Sequence, residues 1–381
     1  MKVLLIANYV PDAQNSMLAF RRVLERELPG TGCEVRALAP PKLLLRLPHP
    51  ARLAKWLGYL DKFVLFIPGL AKHARWADVV HVADHSNAMY VRWVRARPTV
   101  VTCHDVIAVQ AALGMIPGWQ VGRTGRLFQR LISKGLGEAD LVACVSETTR
   151  RDLLALGITD EGRVATVLNG LNDDFSPVAP EAAAALLARF PVGRGGFLLH
   201  VGMDLPRKNR SAVVRAFVAL HAHARESQAA PPMQELLFVG PALDAEMDTL
   251  LRQHGLRERV HEVQDVSHQE LRALYSTAAA LLFPSLQEGF GWPVIEAQAC
   301  GCPVFTSDLA PMNEIGSAAA VYVDPHDPEA IARAIEEAAP RLGEMRRLGL
   351  VNAAGYSSAQ MARNYKAAYD RAIDQRRAMP Q

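Results

Sequence analysis

The chain has 381 residues, of which 50% are hydrophobic and 21% charged, and its formal net charge is +3. This length predicts two domains, and the composition excludes fibrous, collagen-like and wholly disordered proteins. The basic excess is too small for a typical nucleic-acid-binding protein, so no nucleic-acid partner is expected. No apolar run reaches the roughly 18 residues that a membrane-spanning helix needs.

The N-terminal run and the cysteines predict a cytoplasmic protein. Residues 1–7 contain one Lys and a short apolar run, so we expect a first strand and not a signal peptide. The five cysteines are scattered and odd in number, which argues against a disulfide framework and favours a reducing compartment. Cys300 and Cys302 are close together, but nothing near them completes a zinc quartet.

Short apolar runs alternate with helical stretches along the whole chain, which is typical of parallel sheets wound by crossover helices. The runs are residues 3–7, 79–82, 99–102, 141–145, 164–167, 197–201, 236–239, 281–283, 304–306 and 321–323. The pattern predicts an α/β protein with two doubly wound, Rossmann-like domains that face a central cleft. Ligands of such sheets bind beyond the carboxyl ends of the strands.

A change in composition marks the expected boundary between the two domains. Residues 174–196 contain several prolines, an alanine-rich stretch and the sequence Gly193-Arg194-Gly195-Gly196. We therefore predict an N-terminal domain over residues 1–185 and a C-terminal domain over residues 186–360. Residues 361–381 are expected to form a helical tail that packs back on the N-terminal domain.

Residues 41–76 concentrate the basic excess, with seven Lys or Arg and one Asp among apolar and aromatic residues. One apolar helix face follows the i, i+3, i+4 spacing and comprises Leu53, Trp56, Leu57, Leu60 and Phe63. Pro68 and Gly69 should interrupt any single long helix. Two interpretations stay open: the face packs on the sheet, or the segment docks on an anionic membrane surface.

The third apolar run ends in Thr102-Cys103-His104-Asp105, which brings His104 to the end of the first predicted sheet. A lone histidine is more often structural than catalytic, but a strand end is where the ligands of such sheets bind. Both interpretations of His104 stay open on this pattern alone.

A second candidate site follows the run at residues 197–201. Gly202 comes directly after the strand, and Arg207 and Lys208 lie just before the next helix, for which Asn209 is the expected N-cap. Arg offers a planar fork and Lys a point charge, and together they suit a diphosphate.

The most informative stretch is residues 283–301, where a strand, a loop with two glycines and a helix follow one another. The glycines let backbone N–H groups approach a ligand, and the helix is expected to begin near Pro293 and end at Gly301. Its N-terminus would favour an anionic group. Glu288 in the loop and Glu296 in the helix offer carboxylates to a hydroxyl-rich ligand.

These motifs together resemble those of one family. The Glu288-x7-Glu296 block with Gly289-Phe290-Gly291 is similar to the donor-site signature of retaining GT-B glycosyltransferases, family 4. The stretch from Gly202 to Asn209 resembles that family's diphosphate motif, and residues 102–105 resemble its acceptor-domain His-Asp. The resemblance spans roughly residues 98 to 335, and the combination is specific although each piece alone is weak.

The resemblance implies a hexosyltransferase of polysaccharide biosynthesis that uses a GDP- or UDP-linked donor, with mannose the first choice, and retains the anomeric configuration. The acceptor, a glycan or a lipid-linked glycan, would bind the N-terminal domain and the donor the C-terminal domain. The implied catalytic residues are His104, Arg207, Lys208 and Glu288. The implied donor-binding residues are Gly202, Arg207, Lys208, Glu288, Gly289, Phe290, Gly291 and Glu296. No cofactor and no divalent metal is expected, because no Asp-x-Asp motif lies at a strand end and cations and a helix dipole can replace the metal.

The chain departs from the family pattern at two points. The loop over residues 7–16 has no glycine, whereas the family usually has a glycine-rich loop there. Met203 stands where many members carry an Arg, which leaves Arg207 as the expected sole Arg at the diphosphate. The acceptor-side candidates are Asn8, Gln14, Asn15, Ser16 and Asp105.

Two functions of other classes remain as alternatives. A non-catalytic subunit that binds nucleotide sugars would fit the missing glycines of the first loop. A nicotinamide-dependent oxidoreductase would need Gly-x-Gly-x-x-Gly after a strand, and the first loop lacks it. If the acceptor is lipid-linked, a peripheral location at the inner membrane face follows for residues 41–76.

Overall fold

The computed structural model describes residues 1–192 and 196–378. The chain divides into two compact units, one formed by Met1–Asp173 together with the C-terminal segment from Ser357, the other by Asp174–Tyr356. The division thus falls at residue 173, whereas composition placed it at residue 185. Of the expected linker, Gly193, Arg194 and Gly195 lie outside the described residues, as do residues 379–381 of the expected tail.

The early division has a physical cause in the contacts of residues 174–186. The Arg272 guanidinium donates from Nε to the carbonyl oxygen of Ser176 at 2.9 Å, and the Ser276 hydroxyl accepts from the backbone N–H of Val178 at 3.0 Å. These bonds tie the segment to the second unit, although its Pro- and Ala-rich composition is that of a linker.

Each unit contains a parallel sheet of six described strands, which confirms the prediction of a two-domain α/β protein with doubly wound sheets. The strands of the first unit are β1 (Lys2–Ile6), β2 (Glu34–Leu38), β3 (Val79–Val82), β4 (Thr99–Cys103), β5 (Leu141–Cys144) and β6 (Val164–Thr166). Those of the second are β7 (Phe197–Val201), β8 (Glu235–Val239), β9 (Val260–Val263), β10 (Ala280–Phe283), β11 (Val304–Ser307) and β12 (Ala320–Val323). Their orders are β2-β1-β3-β4-β5-β6 and β12-β11-β10-β7-β8-β9.

Helices connect the strands and cover the sheets. The helices up to residue 173 are α1 (Asn15–Glu27), α2 (Ala51–Leu60), α3 (Ile67–Ala74), α4 (Val91–Val94), α5 (Ile107–Ala112), α6 (Arg123–Glu138) and α7 (Glu147–Ala155). The second unit contains α8 (Pro180–Leu186), α9 (Arg210–Glu226), α10 (Ala245–Gln253), α11 (His268–Thr277), α12 (Trp292–Ala299), α13 (Met312–Gly316), α14 (Pro328–Ala338) and α15 (Leu342–Ala353). The last helix, α16 (Ser358–Ala378), returns to the first unit. In the part of the chain that the structure describes, no helix has the length and apolarity to cross a bilayer.

The α16 helix is held in the first unit by a buried chain of hydrogen bonds. His81 Nδ1 lies 2.8 Å from the hydroxyl of Tyr369, and His81 Nε2 lies 2.7 Å from the Thr102 hydroxyl. The Thr102 hydroxyl in turn lies 2.8 Å from that of Tyr365. Burial lowers the pKa of His81 to about 3, so the ring is neutral and supplies one donor and one acceptor.

The strand orders define where each sheet reverses its winding direction. In the first sheet the chain moves outward in opposite directions from the β1/β3 pair, and in the second from the β7/β10 pair. Loops that leave these neighbouring strands on opposite faces open a crevice at the carboxyl ends, where open α/β sheets bind ligands. The four loops after β1, β3, β7 and β10 are therefore the places to look for a site.

Candidate active site

The loop after β7 carries two adjacent cations at the second switch point. Residues Pro206–Lys208 form a single 3₁₀ turn, and α9 begins at Arg210. A Cβ at Gly202 would lie 3.3 Å from Nε2 of His200 and 3.5 Å from Cδ of Lys208, so this position suits glycine. The absence of a side chain keeps the end of β7 close to the Lys208 stem.

Asn209 was expected to be the N-cap residue of α9, and its position confirms this, but its side chain does not cap the helix. It occupies the N-cap position, but it has φ 55° and makes no side-chain cap bond. Its amide nitrogen instead donates to the carbonyl oxygens of Pro284 at 3.0 Å and Pro325 at 2.8 Å. Asn209 therefore fixes the loop after β7 to the loops that follow β10 and β12.

Arg207, Lys208 and Glu288 form one ion cluster at this switch point. Lys208 Nζ donates to Glu288 Oε1 at 2.6 Å, and Arg207 Nη1 donates to Glu288 Oε2 at 2.9 Å. The Ser285 hydroxyl donates to the same carboxylate at 2.8 Å. The loops after β7 and β10 are also joined by the backbone N–H of Leu286, which donates to the carbonyl oxygen of Arg207 at 2.7 Å.

Glu288 is ionised despite its burial. Burial alone raises its pKa, but the charges of Lys208 and Arg207, together with hydrogen bonds from Lys208 and Ser285, shift the pKa below its usual value. The cluster is therefore a buried carboxylate shared by two cations, and it carries a net positive charge that suits an anionic ligand.

Glu296 lies in a different environment on the first turns of α12. It accepts a hydrogen bond from the hydroxyl of Tyr275 at 3.1 Å. Burial raises its pKa to about 7, against the smaller lowering effects of the Tyr275 bond and the Lys208 charge. The two glutamates of the motif thus differ, because one is ionised and the other titrates near neutral pH.

The helix that carries Glu296 begins as the sequence predicted. Gly291 is its N-cap residue, with φ 100°, a left-handed conformation that favours glycine. Pro293 lies in the first turn, and the helix ends before Gly301, which has φ 72°. Phe290 is buried and anchors the loop, so the backbone of Gly289, Phe290 and Gly291 leads directly into the helix N-terminus.

His104 lies at the carboxyl end of the first sheet, after β4, and 7% of it is exposed. Its Nε2–H donates to the carbonyl oxygen of Ala83 at 2.9 Å, which fixes the tautomer, since a carbonyl can only accept. Burial lowers its pKa, so the ring is neutral at pH 7. The edge of Phe20 packs against it with ring centroids 4.8 Å apart. Asp105 lies just before α5, and its Oδ1 accepts from the backbone N–H of Ile107 at 3.0 Å.

The glycine-free loop after β1 is held by side chains. Asn8 is buried, and its amide nitrogen donates to Gln14 Oε1 and to Asp84 Oδ2. Ala13 adopts φ 52°, so a left-handed position exists here without a glycine. Asn15 and Ser16 form the first turn of α1 and are exposed.

Three residues near these motifs were not predicted from the sequence: Asp84 and His85, which follow β3 at the first switch point, and Tyr275, the partner of Glu296. The strand at residues 79–82 was predicted, and inspection of its end would have revealed Asp84 and His85. No sequence signal marks Tyr275, because its contact depends on how α11 packs against α12.

The structure therefore brings Gly202, Arg207, Lys208 and Glu288 together in the second unit, with Glu296 nearby on α12. In the first unit it places Asn8 and His104 at one end of the sheet, and each contacts the segment Ala83–Asp84. Within residues 1–192 and 196–378, no group of three or more His, Cys, Asp or Glu side chains is arranged to hold a metal ion.

Comparisons with known proteins agree with this geometry. Residues 191–347 match the family model "Glycosyl transferases group 1", and residues 4–170 match "Glycosyl transferase 4-like domain". The chain belongs to the GT-B glycosyltransferases of the family 4 type.

Individual relatives are distant. An O-antigen chain mannosyltransferase B of Escherichia coli is 27% identical over 62% of this chain and 60% of its own length. A D-inositol 3-phosphate glycosyltransferase of Salinispora tropica is 30% identical over 70% of this chain and 59% of its own. The matches thus span about three fifths of these relatives. A sucrose-phosphate synthase from Thermosynechococcus elongatus has the same fold, with TM-score 0.72, 20% identity and coverage of 97% and 98% of the two chains.

Proposed function

We propose that the protein transfers a hexose from a nucleoside-diphosphate sugar to a glycan or lipid-linked acceptor, with retention of anomeric configuration. The observation that carries the proposal is the cluster of Arg207, Lys208 and Glu288 at the β7/β10 switch point. It combines two cations for a diphosphate with an ionised carboxylate for a sugar, and few other ligands need both.

The cations deal with the main energetic problem of the reaction, the negative charge that develops on the leaving diphosphate. A preorganised donor of this kind contributes about 3 kcal/mol to transition-state stabilisation. Among the described residues, Arg207 donates through Nη1 alone, which leaves Nε and Nη2 for phosphate oxygens. Lys208 has three N–H bonds and can hold Glu288 and a phosphate together.

The carboxylates and the loop backbone would contact the rest of the donor. Glu288, ionised and next to Lys208, would accept hydrogen bonds from the hydroxyls of the transferred hexose. Glu296 would accept those of the ribose, and the amides of Gly289, Phe290 and Gly291 would approach the sugar and phosphate. The N-terminus of α12 adds a favourable dipole for the anionic portion.

His104 would act at the reacting sugar. Its neutral ring carries the hydrogen on Nε2, so Nδ1 is the acceptor atom of the ring. The transition state would resemble an oxocarbenium ion, stabilised by groups along the sugar and not by a strong covalent nucleophile. No divalent metal is required in this scheme, since Arg207 and Lys208 supply the positive charge that a metal ion would otherwise provide.

The donor is expected to be linked to GDP or UDP, with mannose the first choice. This choice rests on the resemblance and on the O-antigen mannosyltransferase among the relatives. The D-inositol 3-phosphate glycosyltransferase among the relatives makes a phosphorylated acceptor the alternative to a neutral glycan. Synthesis of a surface polysaccharide is the process that this set of relatives favours.

A thermal-shift screen with nucleoside diphosphates tests donor binding, because a ligand that binds only the folded chain stabilises it. Stabilisation by GDP or UDP that the Lys208→Ala variant loses supports the proposal. Release of free hexose from the sugar nucleotide then separates an enzyme from a non-catalytic binding subunit, which would bind without turnover. Stabilisation by NAD instead would favour the oxidoreductase alternative.

We also propose that residues 41–76 dock the protein on an anionic membrane surface. The expectation that the apolar face packs on the sheet does not describe Leu53, Trp56 and Leu60, of which 43%, 61% and 43% are exposed. A π-helical turn over Asp61–Leu65 continues α2, and Val64 in this turn is also exposed. Leu53, Trp56, Leu60 and Val64 are called the exposed stripe below. Pro68 lies in the first turn of α3 and marks where that helix begins.

Side chains around the stripe fit an interfacial location. Arg52 and Lys55 are exposed beside it, and each cation near an anionic surface contributes about 1 kcal/mol. Tyr59 packs against Phe128 with ring centroids 5.2 Å apart, and α6 continues the surface with exposed Leu127 and Leu131. Lys62 is not available, because it pairs with Asp12 at 2.8 Å.

Vesicle co-sedimentation tests the membrane proposal. The protein should bind vesicles with anionic lipid, release them at high salt, and lose binding in a Trp56→Ser, Leu60→Ser variant. Val351→Ser, which removes an equally exposed apolar side chain from α15, is the matched control and should bind normally. Protein that stays in the supernatant at low salt contradicts the proposal.

A further inference from the structure

A buried carboxylate lies at the switch point of the first sheet and belongs to neither catalytic motif. Asp84 follows β3 directly and is 3% exposed. Its two oxygens accept from the Ser86 backbone N–H at 2.9 Å, the Ser86 hydroxyl at 2.7 Å and the Asn8 amide at 2.5 Å. It therefore joins the ends of β1 and β3, the two strands between which the winding direction reverses.

Asp84 also reaches the histidines that follow β3 and β4. Its Oδ1 lies 3.4 Å from Nδ1 of His85, and that nitrogen accepts from the backbone N–H of His104 at 3.2 Å. Because Nδ1 accepts that bond, it has no hydrogen to donate to Asp84, so the backbone of His104 orients the His85 ring and the carboxylate lies beside it. The charge is stable, because the neighbouring histidines and the Asn8 and Ser86 bonds lower the pKa of Asp84 although burial opposes them.

The arrangement explains how the first loop is ordered without glycine. One Asn8 amide nitrogen donates to Asp84 and to Gln14, so both its hydrogens are used and its carbonyl oxygen is oriented. Close by, Asn87 is 7% exposed and its amide nitrogen has no partner among the described residues. The backbone N–H of Asn87 donates to the carbonyl oxygen of Asp84 at 2.9 Å, so this orphan donor lies on the turn that follows Asp84, and a ligand hydroxyl would satisfy it.

We propose that Asp84 is a positioning residue that holds Asn8 for a neutral, hydroxyl-bearing acceptor. No Lys or Arg side chain contacts Asp84 in the described part of the chain, so a phosphate at this point would meet an uncompensated negative charge. Sugar hydroxyls meet no such penalty. The proposal rests on the proposed function, because glycosyl transfer is what gives this site an acceptor.

An exchange of the two side chains tests the proposal. Asp84→Asn makes two amides face each other, and Asn8→Asp makes two carboxylates do so, whereas the double variant Asn8→Asp, Asp84→Asn restores one of each. Each single variant should lower kcat for hydrolysis of GDP-mannose or UDP-glucose at least about tenfold, with the Kd for the nucleoside diphosphate unchanged. The double variant should regain most of the loss.

Asp78→Asn is the matched control, since Asp78 precedes the same strand and its side chain accepts the backbone N–H of Lys2 at 2.7 Å. It should keep the wild-type rate. Single variants that hydrolyse at the wild-type rate, a double variant no better than the singles, or rate losses that follow the melting temperature overturn the proposal. A wild-type chain that neither binds nucleotide nor hydrolyses the donor contradicts the proposed function instead.

Acceptor chemistry is tested with two probes, methyl α-D-mannopyranoside and mannose 6-phosphate, added to the hydrolysis assay. The neutral probe should receive a larger share of the transferred hexose, and leave less free hexose from hydrolysis, than the phosphorylated probe. Use of the phosphorylated probe as well as, or better than, the neutral one overturns the claim of a neutral acceptor.

Discussion

Lys208 and Glu288 are 80 residues apart in the sequence yet form one ion pair, with Nζ 2.6 Å from Oε1. The pair exists because β7 and β10 are neighbours in the sheet, so the loops that follow them meet at one switch point. Arg207 completes the cluster on the second carboxylate oxygen. Removal of a cation therefore affects both the proposed phosphate site and the carboxylate that it holds.

Lys208→Ala and Arg207→Ala should each lower kcat/KM about a hundredfold or more, because each removes a preorganised donor for the leaving diphosphate. Arg215→Ala is the matched control, since Arg215 is exposed on α9 and pairs with the exposed Glu246. Turnover near the wild-type level in both cluster variants would remove the diphosphate assignment.

The two glutamates should respond differently to amide substitution. Glu288→Gln should abolish transfer, because the carboxylate contacts the reacting sugar. Glu296→Gln should mainly weaken donor binding, since ribose contacts are equal in the ground and transition states. Steady-state kinetics with the sugar nucleotide distinguish the cases, and equal losses of kcat in both variants would show that the roles are not divided this way.

Glu296 should also make stability depend on pH. Its pKa rises from 4.5 in the unfolded chain to about 7 in the folded protein, so the folded state holds this proton more tightly. The associated stability is complete below about pH 4.5 and is lost as the pH rises through 7. Glu296→Gln should therefore raise the free energy of unfolding at pH 8 by roughly 1–3 kcal/mol relative to its effect at pH 4.5. Denaturant titrations at the two pH values measure the free energy of unfolding of both proteins. An equal effect of the substitution at both pH values would contradict the raised pKa of Glu296.

Ala13→Gly should stabilise the first loop. An L-residue in the left-handed region costs roughly 1–2 kcal/mol, and the added flexibility of glycine offsets only part of this, so a net gain of about 0.5 kcal/mol is expected. Ala71→Gly, in an exposed position within α3, is the control and should lose about 1 kcal/mol. A destabilised Ala13→Gly protein would show that the side chain is needed there.

Activity should survive EDTA, because Arg207, Lys208 and the α12 dipole supply the positive charge at the proposed diphosphate site. The assay is donor turnover after exhaustive chelation, with and without added Mg²⁺. A complete loss that Mg²⁺ reverses contradicts the metal-independent mechanism.

The central strands and the donor motif could be predicted from sequence because their signals are local. Buried strands such as β7 and β10 appear as continuous apolar runs, and glycines and Pro293 mark the loop and the start of α12. The strands β2 and β9 were missed, since β2, with Glu34 and Arg36, and β9, with His261 and Glu262, lie at sheet edges and carry polar residues.

Features that depend on strand order could not be predicted. The sequence gives no indication that β1 adjoins β3, so the contact between Asn8 and Asp84 was not foreseen. The same holds for Asn209, whose side chain joins loops that are distant in sequence. The apolar residues of α2 have the same helical period whether their face is buried or exposed. The exposure of Trp56 could therefore not be predicted from the sequence.

The most direct test of retaining transfer is ¹H NMR of donor hydrolysis, which reports the first anomer of the released hexose before it mutarotates. With GDP-α-D-mannose or UDP-α-D-glucose, whichever nucleotide stabilises the protein, we predict that the α-anomer appears first and that Lys208→Ala suppresses its release. Initial release of the β-anomer would contradict retention. No release from either donor, with no binding of either nucleotide, would contradict the glycosyltransferase account itself.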